Sequence, residues 1–242
     1  MTTGSVHSWD LSIGVDGPGT RLVLFLAGCP LRCQYCENPD TWHRRNGVPT
    51  SVEDVMAKVR RHRRLFDVTG GGVTITGGEP LLQARFTGEV LAACAAEGIH
   101  TALDTSGYLG VRAPDEMLAD VGLVLLDIKS WDPATYRKVT GRELVPTLVF
   151  AERLAKLSRP TWIRFVLVPG LTDAPENVEG LADHIATLPN VERVDVVAYH
   201  RFGVPKYAEL GIPYRLEGVP EPTDEQLEHA RRTFASRGLI VT

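Results

Sequence analysis

Three cysteines, Cys29, Cys33 and Cys36, share one short segment, Cys29-Pro30-Leu31-Arg32-Cys33-Gln34-Tyr35-Cys36. Three thiolates on one loop can hold three irons of a cubane [4Fe-4S] cluster and leave the fourth iron open to a ligand. Once reduced, such a cluster could pass one electron to that ligand while the protein positions and shields it. The competing use is a Cys₃His zinc site completed by His43, although structural zinc usually draws on two separated ligand pairs. Nothing signals secretion, and disulfides are rare in the cytosol, so metal or redox chemistry is expected of the loop. Cys94 repeats with Phe86 and Val90 at four-residue intervals on one helical face, and reads as an inert core thiol.

Other polar residues could join this chemistry. Gly77-Gly78-Glu79-Pro80 follows the alternating run Val73-Thr74-Ile75-Thr76. Its glycines would let backbone approach a ligand, and its carboxylate could accept hydrogen bonds from an ammonium group. Asp127 and Lys129 face one side of a strand by two-residue alternation, as an internal ion pair or as ligand contacts. Lys129 and Arg164 suit a ligand carboxylate, and His200, beside Tyr199 at a strand end, suits a ligand contact.

These residues must be positioned by the elements between them. Apolar β-branched runs alternate with helical patterns along the chain, the signature of repeated βα units around a buried parallel sheet. The expected strands are 21–27, 72–76, 100–104, 123–129, 161–168 and 193–199; the expected helices are 51–64, 81–97, 114–119, 146–157, 175–187 and 223–236. The fold class is therefore α/β, and the 242 residues are expected to form one domain. On this map the cysteines, Gly77-Gly78-Glu79, Asp104-Thr105-Ser106-Gly107, Asp127 with Lys129, and His200 fall at the carboxyl ends of different strands, with Arg164 inside another, where barrel enzymes place their chemistry. Gly70-Gly71-Gly72 reads as a turn into a strand, and Arg60 to Arg64 as a charged helix end. A net charge of -4 argues against nucleic acid as partner, and no apolar run is long enough to span a membrane, so a cytoplasmic location is expected.

The CxxxCxxC loop with a following GGE resembles the radical S-adenosylmethionine (SAM) superfamily. Val15-Asp16-Gly17-Pro18-Gly19-Thr20-Arg21, Cys33 to Trp42, Gly71 to Thr74, Leu103 to Gly107, Leu126 to Lys129, Trp162 to Arg164, Val168 to Gly170 and Tyr199-His200 further resemble the pyruvate formate-lyase activating enzymes, a branch of the glycyl-radical-enzyme activases. The resemblance implies a partial (β/α)6 barrel, a [4Fe-4S] cluster on the three cysteines, and reductive cleavage of SAM to install a glycyl radical on pyruvate formate-lyase. It also implies flavodoxin or ferredoxin as electron donor. On the same analogy Tyr35, Cys36 and Glu37 line the adenine side, and Gly77, Gly78 and Glu79 hold the methionine amino group. Asp104, Asp127, Ile128, Lys129, Arg164 and His200 serve the remainder of SAM; Asp104, Thr105 and Asp127 resemble a monovalent-cation site, and Asp16 resembles the residue that meets the substrate glycine loop. Glu37 departs from the family pattern, which has histidine there. With only Cys94 left over, the auxiliary clusters of other activases cannot be built, which points to the pyruvate formate-lyase subgroup.

Overall fold

The computed structural model describes residues 2–242. It divides into a first unit, residues 2–30 and 41–125, and a second, residues 31–40 and 126–242. In the first unit β1 (Thr3–Ile13) pairs antiparallel with both β2 (Thr20–Leu26) and β3 (Val48–Ser51). Strand β2 then pairs parallel with β4 (Gly72–Gly77), and β4 with β5 (His100–Thr105). Strand β6 (Leu123–Asp127) crosses the division; in the second unit β7 (Thr161–Leu167) pairs parallel with β8 (Val191–Ala198). The strand order is β3-β1-β2-β4-β5 in the first unit and β7-β8 in the second, an open α/β arrangement, and the six strands expected from the sequence are β2 and β4 to β8.

Two strands were not expected. β1 lacks a clean two-residue alternation because a bulge between Val6 and Ser8 shifts its pairing, and its second half is largely solvent-facing. β3 is short and lies at an edge, where burial imposes no pattern.

The helices follow the expected places with local differences. In the first unit Ser51 and Asp54 form a capping box that starts α1 (Val52–Arg61), but the helix breaks at His62 and resumes as α2 (Arg63–Thr69). Arg60 and Arg61 therefore close α1 as a charged helix end, while Arg63 and Arg64 open α2; Arg60 pairs with Glu53 and Glu97, and Arg63 with Asp67. Gly70 ends α2 at φ +63°, so the glycine run is the expected turn into β4. Helices α3 (Ala84–Ala96) and α4 (Asp115–Ala119) complete this unit, and Cys94 is buried against Met56 as a core thiol.

In the second unit α6 (Val145–Lys156), α7 (Pro175–Ile185) and α9 (Asp224–Ala235) match expectation, while α5 (Pro133–Thr140) and α8 (Val204–Glu209) do not appear in the sequence pattern. Both are under three turns long, too short for a helical period to register. Among the described residues no helix is long and apolar enough to cross a membrane.

Candidate active site

The cysteine segment is held at both ends by backbone hydrogen bonds. Gly28 N–H donates to Thr41 O at 2.6 Å and Cys29 N–H to Trp42 O at 3.1 Å. Beyond Leu31, Arg32 N–H donates to Thr140 O (2.8 Å), Gln34 N–H to Val139 O (3.0 Å), and Gln34 Nε2 to Lys138 O (2.7 Å). Those carbonyls belong to the last turn of α5, where helix geometry leaves acceptors without intrahelical partners. After Cys36, Lys206 of α8 donates to Asn38 Oδ1 at 2.7 Å and lies 3.3 Å from Asp40. Gly203, just before α8, backs so closely onto the Cys36 carbonyl that a Cβ there would lie 2.9 Å from it.

Cys29, Cys33 and Cys36 are partly exposed, and none of them is in a disulfide. Desolvation pushes the Cys33 thiol up to about 12, with Lys129 acting in the opposite direction. The Tyr35 hydroxyl is buried with no hydrogen-bond partner among the described residues, and its ring lies 5.8 Å below the Lys129 ammonium. Burial, above all, raises that phenol far beyond its ordinary value, so it stays a neutral donor. Among the described residues no three His, Cys, Asp or Glu side chains converge on one metal ion; a cubane does not ask for this, because each thiolate takes a separate iron.

The Gly77-Gly78-Glu79 turn follows β4. Gly78 N–H donates to Leu26 O (2.7 Å) and Glu79 N–H to Gly28 O (2.8 Å), so the turn is tied to the strand that leads into the cysteine segment. A Cβ on Gly77, at φ +114°, would overlap the Leu26 backbone, and one on Gly78 would overlap the Gly28 carbonyl. The need for glycine here is thus set by the chain's own backbone.

Glu79 is 1 % exposed and accepts four hydrogen bonds: from Thr105 Oγ1 (2.6 Å), Leu81 N (3.1 Å), Ser106 Oγ (2.6 Å) and Ser106 N (3.0 Å). Burial raises its carboxyl above the ordinary range, while those donors act to lower it. Asp104, the penultimate residue of β5, accepts from Thr76 Oγ1 at 2.6 Å. Asp16 lies in the turn between β1 and β2, with its carbonyl accepting from Thr74 Oγ1 at 2.6 Å.

In the second unit Asp127 ends β6 and pairs with Lys129 at 2.8 Å. Ile128 N–H donates to the Arg164 carbonyl of β7 at 3.1 Å, joining those two residues through backbone. His200, two residues past β8, places Nε2 3.9 Å from Glu37 Oε2 and packs against Phe202 with ring centroids 4.5 Å apart and the rings tilted by 32°. Tyr35 packs against the buried cluster of Val168, Tyr199 and Leu216.

Each unit therefore assembles its own group: Glu79 with Thr105 and Ser106, and Asp104 with Thr76, in the first; Asp127, Lys129 and Tyr35, and His200 with Glu37, in the second. Sequence reasoning gave no individual role to Ser106, Lys206, Arg21 or Thr74, although Arg21, Thr74 and Ser106 lie within the motifs that carried the family resemblance and only Lys206 lies outside them.

A profile of the Radical SAM superfamily matches residues 23–184. The pyruvate formate-lyase-activating enzyme of Listeria monocytogenes is 43% identical over 235 residues, covering 95% of each chain. The pyruvate formate-lyase 1-activating enzyme of Escherichia coli is 39% identical over 237 residues, covering 97% of this chain and 96% of the relative. Among solved structures, a domain of a pyruvate-formate lyase-activating enzyme from Bacteroides vulgatus matches with a TM-score of 0.59 at 28% identity, over 71% of this chain and 98% of that one. A radical SAM methyltransferase from Sphaerobacter thermophilus, at 16% identity and a TM-score of 0.68 over 96% of this chain and 67% of that one, shares the fold. The chain belongs to the radical SAM superfamily and, within it, to the family of pyruvate formate-lyase-activating enzymes. Its cofactors are accordingly a [4Fe-4S] cluster and SAM. The residues present fit them: three thiols outside any disulfide on one segment suit the irons, and the buried hydroxyl of Tyr35 is a donor still to be met.

Proposed function

We propose that the chain works as a single catalytic domain that activates pyruvate formate-lyase, with Cys29, Cys33 and Cys36 holding the cluster. When bound and reduced, the cluster supplies the electron that cleaves SAM to methionine and a 5'-deoxyadenosyl radical, which takes a hydrogen atom from a glycine Cα of the partner enzyme. The observation that carries this reading is the segment from Cys29 to Cys36. It offers three partly exposed thiols outside any disulfide and is tied down by backbone hydrogen bonds, while the remaining cysteine is buried in the core.

In this reading the other residues bind and orient SAM. The Gly77-Gly78-Glu79 turn and Asp104 offer acceptors to the methionine ammonium, although Glu79 already serves four donors of its own chain. Lys129 and Arg164 offer cationic donors to the carboxylate, with Asp127 holding the Lys129 ammonium in place. Ile128 keeps the backbone of these two residues in register, and His200 contacts the ribose. The Tyr35 ring and hydroxyl, with Glu37, face the adenine. Asp104, Thr105 and Asp127 provide oxygens of the kind that bind a monovalent cation, and Asp16 receives the glycine-bearing loop. A reduced flavodoxin or ferredoxin supplies the electron, and the protein acts in the cytoplasm; neither nucleic acid nor membrane is a partner.

The test is electron paramagnetic resonance of the anaerobically reconstituted protein. A reduced [4Fe-4S] signal that changes on adding SAM, followed by a glycyl doublet on adding a pyruvate formate-lyase, is the expected result. A SAM-insensitive spectrum would remove the cluster assignment; a SAM-sensitive one without a doublet would remove only the partner.

A further inference from the structure

Arg21 is the largest fully buried side chain, at 0 % exposure, and it stands in a strand whose neighbours are apolar. Nothing in the SAM or cluster chemistry uses it. A buried guanidinium is costly unless its donors are met, and here each of its three nitrogens has a partner. Nε donates to Thr74 Oγ1 at 3.0 Å, Nη1 to His100 Nδ1 at 3.0 Å, and Nη2 to the carbonyls of Val73 and His100. Arginine has no acceptor and a carbonyl no donor, so the Thr74 hydroxyl has one orientation: it accepts from Arg21 and donates to Asp16 O at 2.6 Å. Gly17, the next residue, adopts φ +121° and sits directly on this side chain, since a Cβ there would lie 3.3 Å from Arg21 Nε.

The arrangement lies on a functional face of β4. Thr74 and Thr76 point to the same side of the strand, and Thr76 holds Asp104. A rigid strand thus fixes Asp104 through one threonine and the Asp16 turn through the other.

We propose that Arg21 and Thr74 are positioning residues that hold the Asp16-Gly17 turn in the form that receives the glycine-bearing loop of the partner protein. This rests on the reading of the Asp16 turn as the partner-binding element. The strut leaves SAM contacts to other residues, so it governs partner affinity rather than the chemical step.

The experiment uses the reconstituted full-length protein, with glycyl-radical formation measured against pyruvate formate-lyase concentration and amide hydrogen exchange measured over residues 14–20. Thr74→Val removes the hydroxyl at nearly constant volume and strands both the Arg21 donor and the Asp16 carbonyl. KM for the partner should rise about tenfold, the scale of one buried hydrogen bond, with kcat nearly unchanged and faster exchange confined to 14–20. Thr74→Ser, which keeps the hydroxyl, should restore both values; Thr74→Ala provides the same loss without bulk should the valine variant fold poorly. A fall in kcat with exchange rising throughout β4, or faster local exchange with unchanged KM, overturns the proposal. Asp16→Ala separates the two readings: if it raises KM and Thr74→Val does not, the strut fails and the Asp16 reading stands. If neither raises KM, both fall.

Discussion

Lys129 Nζ lies 2.8 Å from Asp127 Oδ2, and both side chains are largely withdrawn from solvent, at 14% and 21% exposure. Desolvation works against the ammonium, but the Asp127 carboxylate holds its pKa well above the ordinary lysine value, so it is charged at neutral pH. Removing one partner leaves the other charge half-buried and alone. Asp127→Asn should destabilise the apo protein by about 2 kcal/mol in urea unfolding. It should also weaken SAM binding roughly tenfold in equilibrium dialysis of the reconstituted protein, as Lys129 loses its fixed direction. An unchanged SAM affinity would reduce the pair to an internal ion bridge.

Gly78 has the Gly28 carbonyl where a Cβ would stand. Because the obstacle is backbone, at the strand end that leads into the cysteine segment, it cannot swing aside. Gly78→Ala should therefore cost about 2 kcal/mol or more of stability, read as a lower urea midpoint before any cofactor is added. A variant that is normally stable but fails to bind SAM would instead return the glycine to a ligand-facing role.

Lys206 ties α8 to the residues just after Cys36 through Asn38 and Asp40. The contact is partly exposed and worth about 1 kcal/mol, so Lys206→Met should speed iron loss to a chelator roughly fivefold. The absorbance of the chelator complex follows this directly, and an unchanged rate would mean that the α5 carbonyls suffice to hold the segment.

His100 must present an unprotonated Nδ1 to Arg21, because arginine only donates. Desolvation, with repulsion from Arg21 second, lowers its pKa below the ordinary 6.5. The unfolded chain therefore binds the proton more readily, and the stability this histidine contributes is present above pH 6.5 and is lost as pH falls through the folded-state value. Since the residue is exposed overall, the effect is modest. Urea unfolding from pH 7.5 down to 5 should show a steeper loss in the native protein than in His100→Gln; parallel curves would assign the acid sensitivity elsewhere.

The legible part of the site was local. The spacing of Cys29, Cys33 and Cys36 puts three candidate ligands on one segment, and the two-residue step from Asp127 to Lys129 puts both on one strand face, both fixed by covalent geometry. The strands β2 and β4 to β8 were legible because burial imposes continuous apolar runs. Strand β1 was not, since a bulge and a solvent-facing half erase the period. Helix α5 was too short to register, yet its final carbonyls anchor the cysteine segment.

By itself, then, the sequence determined the chemistry available: three thiolates on one segment, acidic and basic groups at strand ends, and an α/β chain to carry them. The tertiary structure decided how those groups are held. Thr74 reaches Asp16 across 58 positions and Lys206 reaches Asn38 across 168, while Glu79 spends its carboxylate on Thr105, Leu81 and Ser106. No periodicity records such partnerships, because a hydrogen bond between distant residues depends on where packing brings two strands or helices together and leaves no spacing in the chain.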